Sequence, residues 1–274
     1  MFFEYFIQKL RKQHKIVSTT RKYEQVNGIR KFGSINPIII GNHGGKNKVD
    51  KLLASLKRSK LLTEKIEKNK PDLLISFCSP EASRVAFGLG IPHISFSDSP
   101  HAKAVMKLSL PYVTKLLTPW IIPKKDFQEF GINSRDIIQY RAIDAGVIIK
   151  NYKKMREKKS NTKKIILIRP EESEAAYINK ESKTIKIIGE IVKKFPDEKK
   201  IVLSRYKDQS NEIKKIFGKN VNILSKPVNG KDLLGNVDCF VGSGGTMTAE
   251  AGLLGIPTIS MNAVPNRIED YVVK

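Results

Sequence analysis

Only two of the 274 residues are cysteine, one is tryptophan and four are histidine. So few thiols leave no disulfide framework to staple a fold, and the histidines lack the paired spacing that holds zinc. Cys78 and Cys239 both fall in short apolar runs, where a thiol serves as a small core side chain. Neither a metal nor an organic cofactor is expected from these side chains. Acidic residues are scarce as well: 27 Asp and Glu stand against 50 Lys and Arg, a formal net charge of +23. No apolar run is long enough to span a bilayer. The stretch Met1 to Ile7 is broken by Glu4 and followed by basic residues, the reverse of a secretory leader. The expected location is the cytoplasm, with the inner membrane face open to so positive a chain as a peripheral site.

Such a charge attracts nucleic acid, anionic lipid or phosphorylated ligands. The lysines are spread over separate segments, around residues 9–15, 46–70, 150–164 and 193–200, as solvated helix faces would have them. No RNA-recognition or helix-turn-helix signature accompanies them, so nucleic acid is the minor alternative.

Strand-like runs alternate with amphipathic helical stretches along nearly the whole chain, the pattern of parallel sheets covered on both faces. In the first half the expected strands are Ile16 to Thr20, Ile35 to Ile40, Leu73 to Phe77, Ile94 to Ser97, Lys115 to Thr118 and Ile137 to Tyr140. Val49 to Lys70 reads as a long basic helix ended by Pro71. Residues 150–164 are rich in Lys and Asn and lack apolar periodicity, which marks a linker. The strand pattern restarts at Ile165 to Ile168, then Ile201 to Leu203, Val221 to Leu224, Asp238 to Val241 and Thr258 to Met261. The expectation is α/β: two doubly wound Rossmann-like domains facing a cleft, residues 1–149 and 165–274 about the linker. The first domain opens in a helix rather than a strand and the second ends inside one, so both termini read as incomplete.

The most informative run is Ser243-Gly244-Gly245-Thr246-Met247-Thr248-Ala249-Glu250, set between two strands and closed by Gly255 and Pro257. A glycine pair at a strand-to-helix turn lets backbone N–H groups and the helix dipole converge on an anion with no β-carbon in the way. Glu250 lies about two turns beyond Ser243, where a carboxylate can accept hydrogen bonds from vicinal hydroxyls. Together these suit a nucleoside diphosphate; a structural glycine turn is the plainer alternative. Arg169 and Arg205 follow strands of the same domain, where a guanidinium can clamp phosphate oxygens. A surface ion pair with Glu171 or Glu172 explains Arg169 equally well. In the first domain Ser79 and Glu81 stand at a strand-to-helix turn, as cap residues or as polar groups toward a ligand. Asp98 and His101 follow the next strand end and form the best acid/base candidates, with Glu81 as a third. His43 and Lys46 sit in a second glycine-rich turn, where Lys46 could reach a sugar or its diphosphate.

These segments, with Gly41 to Lys46, Ser79 to Phe87, Phe96 to Ala102, Ile168 to Glu171 and Leu203 to Tyr206, resemble an uncharacterised, mostly archaeal glycosyltransferase-B-like family. That family is related to the UDP-N-acetylglucosamine 2-epimerases and to the lipid-linked N-acetylglucosaminyl transferase of murein synthesis. In the transferase the matching motif also runs from Ser-Gly to a Glu that holds the ribose of UDP. The resemblance therefore implies that Glu250 binds ribose while Ser243, Gly244, Gly245 and Thr246 face the diphosphate. The nucleotide sugar is substrate or ligand rather than cofactor.

Relative to the epimerases, Ser79 stands where a first acid is expected and the loop Arg169 to Ser173 has no histidine. A glycosyltransferase needs less: a helix terminus and basic groups for the departing nucleotide and one base for an acceptor hydroxyl. Metal-independent transfer from a nucleotide-diphosphate sugar is the leading expectation, with the acceptor unidentified. The basic helix Lys51 to Lys70 reads first as a solvated amphipathic helix packed on the sheet, and as the alternative it brings the chain to a lipid-linked acceptor at an anionic membrane face. An epimerase-like enzyme and a non-catalytic nucleotide-sugar-binding protein are the alternatives. Oligomeric state is not legible.

Overall fold

A computed structural model describes residues 2–22, 35–45, 47–150, 163–171, 184–204, 206–224, 228–261 and 266–273. The chain forms two compact units, residues 3–144 and 145–274. Most of the expected linker, residues 151–162, lies outside the described residues.

The N-terminal unit opens with α1 (Phe2–Leu10) and a two-stranded parallel sheet of β1 (Thr19–Lys22) and β2 (Ile38–Asn42). Both strands begin about three residues later than apolarity suggests. Ladder pairing sets their bounds, Thr19 opposite Ile38 and Lys22 opposite Asn42. Helix α2 (Lys48–Asn69) is capped by Asn47, whose side chain accepts from the N–H groups of Val49 and Asp50 at 2.8 and 3.2 Å. It ends at Lys70 in the left-handed region, before Pro71. Its C-terminal half buries Leu62 and Ile66 against Ile40 and Val85. The first half does the opposite: Val49, Leu52, Leu53 and Leu56 share one helical stripe and are 58% to 63% exposed.

A four-stranded parallel sheet follows, β3 (Leu74–Ser76), β4 (His93–Phe96), β5 (Lys115–Pro119) and β6 (Ile137–Tyr140) in sequential order. Helix α3 (Pro80–Gly88) links β3 to β4, and α4 (Lys103–Ser109) leads toward β5. Between β5 and β6 lies the short α5 (Lys125–Gln128), and α6 (Asp144–Ile149) begins on the last residue of the unit. Cys78 lies in the turn after β3, at φ 42°, rather than inside a strand.

In the C-terminal unit the sheet is β7 (Ile165–Arg169), β8 (Lys199–Leu203), β9 (Asn222–Leu224), β10 (Cys239–Gly242) and β11 (Thr258–Ser260), all parallel, in the order β11-β10-β7-β8-β9. Alternation along each strand builds two cores. Ile166, Ile168, Val202 and Val241 face α7 (Thr184–Lys194) and α8 (Lys207–Phe217) through Ile188 and Ile213. Leu167, Ile201 and Phe240 pack on the other side with Leu234 of α9 (Gly230–Leu234) and Ala251 of α10 (Thr246–Leu253). Helix α11 (Arg267–Val272) follows β11. The chain winds outward from β7 to β9 and then returns to β10 on the far side of β7. The carboxyl ends of β7 and β10 therefore flank a topological switch point, the usual ligand position in such sheets.

Candidate functional site

The Ser243 to Glu250 run occupies that switch point. Arg169 and Gly242 are ladder partners at the ends of β7 and β10. Gly242 is required by crowding: a Cβ there would stand 2.4 Å from a Phe240 ring carbon and 2.5 Å from the Thr248 hydroxyl. Gly244 and Gly245 then turn the chain at φ 90° and 81°, conformations that L side chains rarely adopt. Thr246 opens α10, and no side chain caps it. The dipole and the first N–H groups of the helix can meet an anion, the Thr248 N–H being taken by the Gly245 carbonyl at 3.2 Å. Two hydroxyls of the same run, Ser243 Oγ and Thr248 Oγ1, are buried and have no hydrogen-bond partner among the described residues.

Glu250 sits one turn into α10, 7% exposed. It faces the start of α9, where Asn229 caps the helix and a Cβ on Gly230 would lie 3.9 Å from Glu250 Oε2. Burial pushes the Glu250 carboxyl up to about 7, and the nearby Lys231 charge opposes that rise. Arg169 Nη1 donates to the carbonyls of Leu203 and Ser204 at 2.8 and 3.2 Å, stitching the ends of β7 and β8 together. Glu171 accepts from the Thr184 hydroxyl at 3.2 Å. Arg205 lies outside the described residues.

The first unit presents its expected residues at the carboxyl ends of its strands. Ser79 caps α3, accepting from the Ala82 N–H at 3.3 Å and donating to Glu81 Oε2 at 3.0 Å. Ser55 of α2 donates to Glu81 Oε1 at 3.0 Å, so both oxygens of this buried carboxylate are engaged. His43 follows β2 and accepts from the Gly45 N–H through Nδ1 at 3.2 Å; Lys46 lies outside the described residues. Asp98 and His101 share the turn between β4 and α4, where Asp98 Oδ1 accepts from the Ser99 hydroxyl at 2.7 Å.

Tyr140 and Asp144, which motif reasoning passed over, join Asp98. The Tyr140 hydroxyl donates to Asp144 Oδ1, and the Asp98 charge acts on both residues. The positional rule that singled out Asp98, a polar residue just past a strand end, applies equally to Asp144 after β6. Lys231 was also missed, because its relation to Glu250 is made by folding alone.

A family model described as a protein of unknown function, DUF354, matches residues 1–272. The chain belongs to that family. A curated relative, the uncharacterized protein MJ0665 of Methanocaldococcus jannaschii, is 33% identical over 236 residues, 81% of this chain and 66% of its own length. The chain thus spans just under two thirds of that relative. Among solved structures, the UDP-GlcNAc 2-epimerase of Neisseria meningitidis bound to UDP-GlcNAc superposes with a TM-score of 0.75 at 17% identity, over 97% of this chain and 80% of that one. The glycotransferase of kitacinnamycin matches with a TM-score of 0.58 at 12% identity, over 99% and 79%. At these identities the likeness speaks for the fold: the glycosyltransferase-B kind, two Rossmann-like units, as the resemblance of the family's segments implied.

Proposed function

We propose that the chain holds a nucleoside diphosphate sugar at the Ser243 to Glu250 turn and is a metal-independent glycosyltransferase. One observation carries this reading. A two-glycine turn at the switch point opens a helix with no side-chain cap, in a run with two hydroxyls unpartnered among the described residues and a buried carboxylate one turn further on. In the proposal the diphosphate sits on the helix N-terminus at the end of β10, beside the Arg169 end of β7, and Glu250 accepts hydrogen bonds from the ribose hydroxyls.

Calorimetric titration with UDP and UDP-GlcNAc tests the grip. Glu250→Ala is expected to weaken both by about tenfold or more, the worth of roughly 1.4 kcal/mol. Undetectable binding to the unaltered chain, or unchanged affinity in the variant, overturns the reading. The 2-epimerase alternative draws support from the fold likeness to such an enzyme. Products separate the two, since transfer releases UDP only when an acceptor is supplied, whereas epimerisation changes the sugar without one. Binding with neither product marks a non-catalytic relative.

The acceptor in this proposal is lipid-linked, and the chain docks on an anionic lipid face. The exposed Val49, Leu52, Leu53 and Leu56 stripe on α2 supports this, because Lys48, Lys51, Lys57 and Lys60 accompany it on the same helix. Two copies meeting through the stripe would set these lysines against each other.

A further inference from the structure

Helix α11 is six residues long, too short to hold its own conformation in water, so tertiary contacts must fix it. Asn266 caps its first turn, the side chain accepting from the Ile268 N–H at 2.9 Å, and Ile268 and Glu269 are buried. Glu269 Oε2 accepts from the Ser260 hydroxyl at 3.0 Å, which ties the start of α11 to the last residue of β11. The next residue, Met261, donates its N–H to the Gly242 carbonyl at 2.7 Å, so the end of β11 is joined in turn to the base of the glycine turn. At its other end α11 lays Val272 against Gly252, in the last turn of α10, where a Cβ would stand 2.5 Å from the Val272 methyl. One short helix thus reaches α10 at both ends, with Glu250 between them. An acid in a first helical turn also complements the dipole, but the exposed Asp270 does that as well. Glu269 differs in being buried with Oε2 on Ser260.

We propose that Glu269 is a positioning residue of the nucleotide grip, holding α11 as a brace that sets Glu250 at a fixed distance from the glycine turn. The proposal rests on the nucleotide-sugar reading and adds to it the residue that keeps the grip in shape. Ribose and diphosphate are covalently joined, so the groups that hold them must keep their separation to within about 0.5 Å. Backbone hydrogen bonds make α10 stiff along its length, but the turn at its start is not. Gly244 and Gly245, at φ 90° and 81°, carry no side chains that would resist a tilt of the whole helix. Val272 blocks that tilt at the far end of α10, and the Ser260 to Glu269 bond holds the helix that carries Val272. Glu269 touches no ligand in this role; it acts through Ser260, α11 and α10.

The test is calorimetric titration of the full chain with UDP, beside chemical denaturation of each variant. Ser260→Ala removes the donor and Glu269→Met removes the acceptor; each is expected to weaken UDP binding about tenfold. Combined, they should do no more than either alone, because they break one bond. Glu269→Gln keeps an oxygen for Ser260 and should bind UDP within about twofold of the unaltered chain. Asp270→Asn, which removes a charge from the same helical turn, should leave affinity unchanged. A brace acts through Glu250, so in a Glu250→Ala background Ser260→Ala should weaken UDP by less than about twofold. A general loss of stability would act alike in both backgrounds. Should Glu269→Met not fold, Ser260→Ala carries the test in its place. Unchanged UDP affinity in Ser260→Ala, an equal loss in both backgrounds, or a tenfold loss in Glu269→Gln overturns the brace while Glu250→Ala still reports on the grip. Absence of UDP binding by the unaltered chain overturns the nucleotide reading, and this role with it.

Discussion

Glu250 and Asp144 are carboxyls whose neutral forms the fold favours, for burial raises each to about 7. The raised value gives a definite sign. The folded state binds the Glu250 proton more tightly than the unfolded chain does, so the associated stability is present below the unfolded value near 4.5 and is lost as pH rises through 7. Glu250→Gln should therefore raise the unfolding free energy at pH 8 by up to about 2 kcal/mol, read by chemical denaturation, with the gain disappearing toward pH 4. Nucleotide binding should run the other way, because only the ionised carboxylate accepts from both ribose hydroxyls. UDP affinity is expected to fall as pH drops below 7, and Glu250→Gln should flatten that dependence. Gly242 offers a test without charge. The Cβ of Gly242→Ala would meet the Phe240 ring at 2.4 Å, and that ring is fully buried. Chemical denaturation should show a loss of about 2 kcal/mol, the usual range for overpacking.

Among the elements, α2 carries two separable features. Its Asn47 cap satisfies two N–H groups, and Asn47→Ala should cost about 1 kcal/mol in denaturant without altering ligand affinity. Its exposed stripe makes the membrane proposal testable. Vesicles containing phosphatidylglycerol should retain the chain, and those of phosphatidylcholine alone should not. Leu52→Glu with Leu53→Glu should abolish retention while preserving the fold, since both side chains are exposed. Equal retention by both kinds of vesicle, or by the double variant, would rule this surface out. Self-association lost in the same variant would identify a second copy as the occupant instead. Helix α10 depends on its neighbour: Gly252 lies so close to α11 that a Cβ would be 2.5 Å from a Val272 methyl. The helix bearing Glu250 is thus pressed against α11 with no room for a side chain, which keeps the turn and the carboxylate in fixed register.

For the molecule as a whole, the +23 charge acts on any polyanion. Non-specific affinity for nucleic acid should fall steeply as salt rises and should ignore Glu250→Ala, whereas UDP binding should respond to both more selectively. Most of the architecture was legible in the residues. Alternating apolar runs marked the parallel strands, and the Ser243 to Pro257 segment announced a turn, a helix and a stop, because glycine and proline act on the backbone locally. Ser79 was placed as a cap-type residue by the same short-range chemistry, whereas the Asn47 cap of α2 was not read from the sequence. Strand bounds at β1 and β2 were less legible, since pairing across the ladder sets them and neighbouring apolar residues do not. What only the tertiary structure decided is how each polar group's bonding is met. Glu81 and Asp98 were read as acids near strand ends and Asp144 was passed over, yet Ser55 and Ser79 satisfy the first, a neighbouring serine engages one oxygen of the second, and the third has a buried oxygen without a partner among the described residues. Hydrogen-bond partners and desolvation come from residues distant in the chain, so composition and spacing determined the fold and the glycine turn, while packing alone decided which carboxyl keeps an oxygen unpartnered among the described residues.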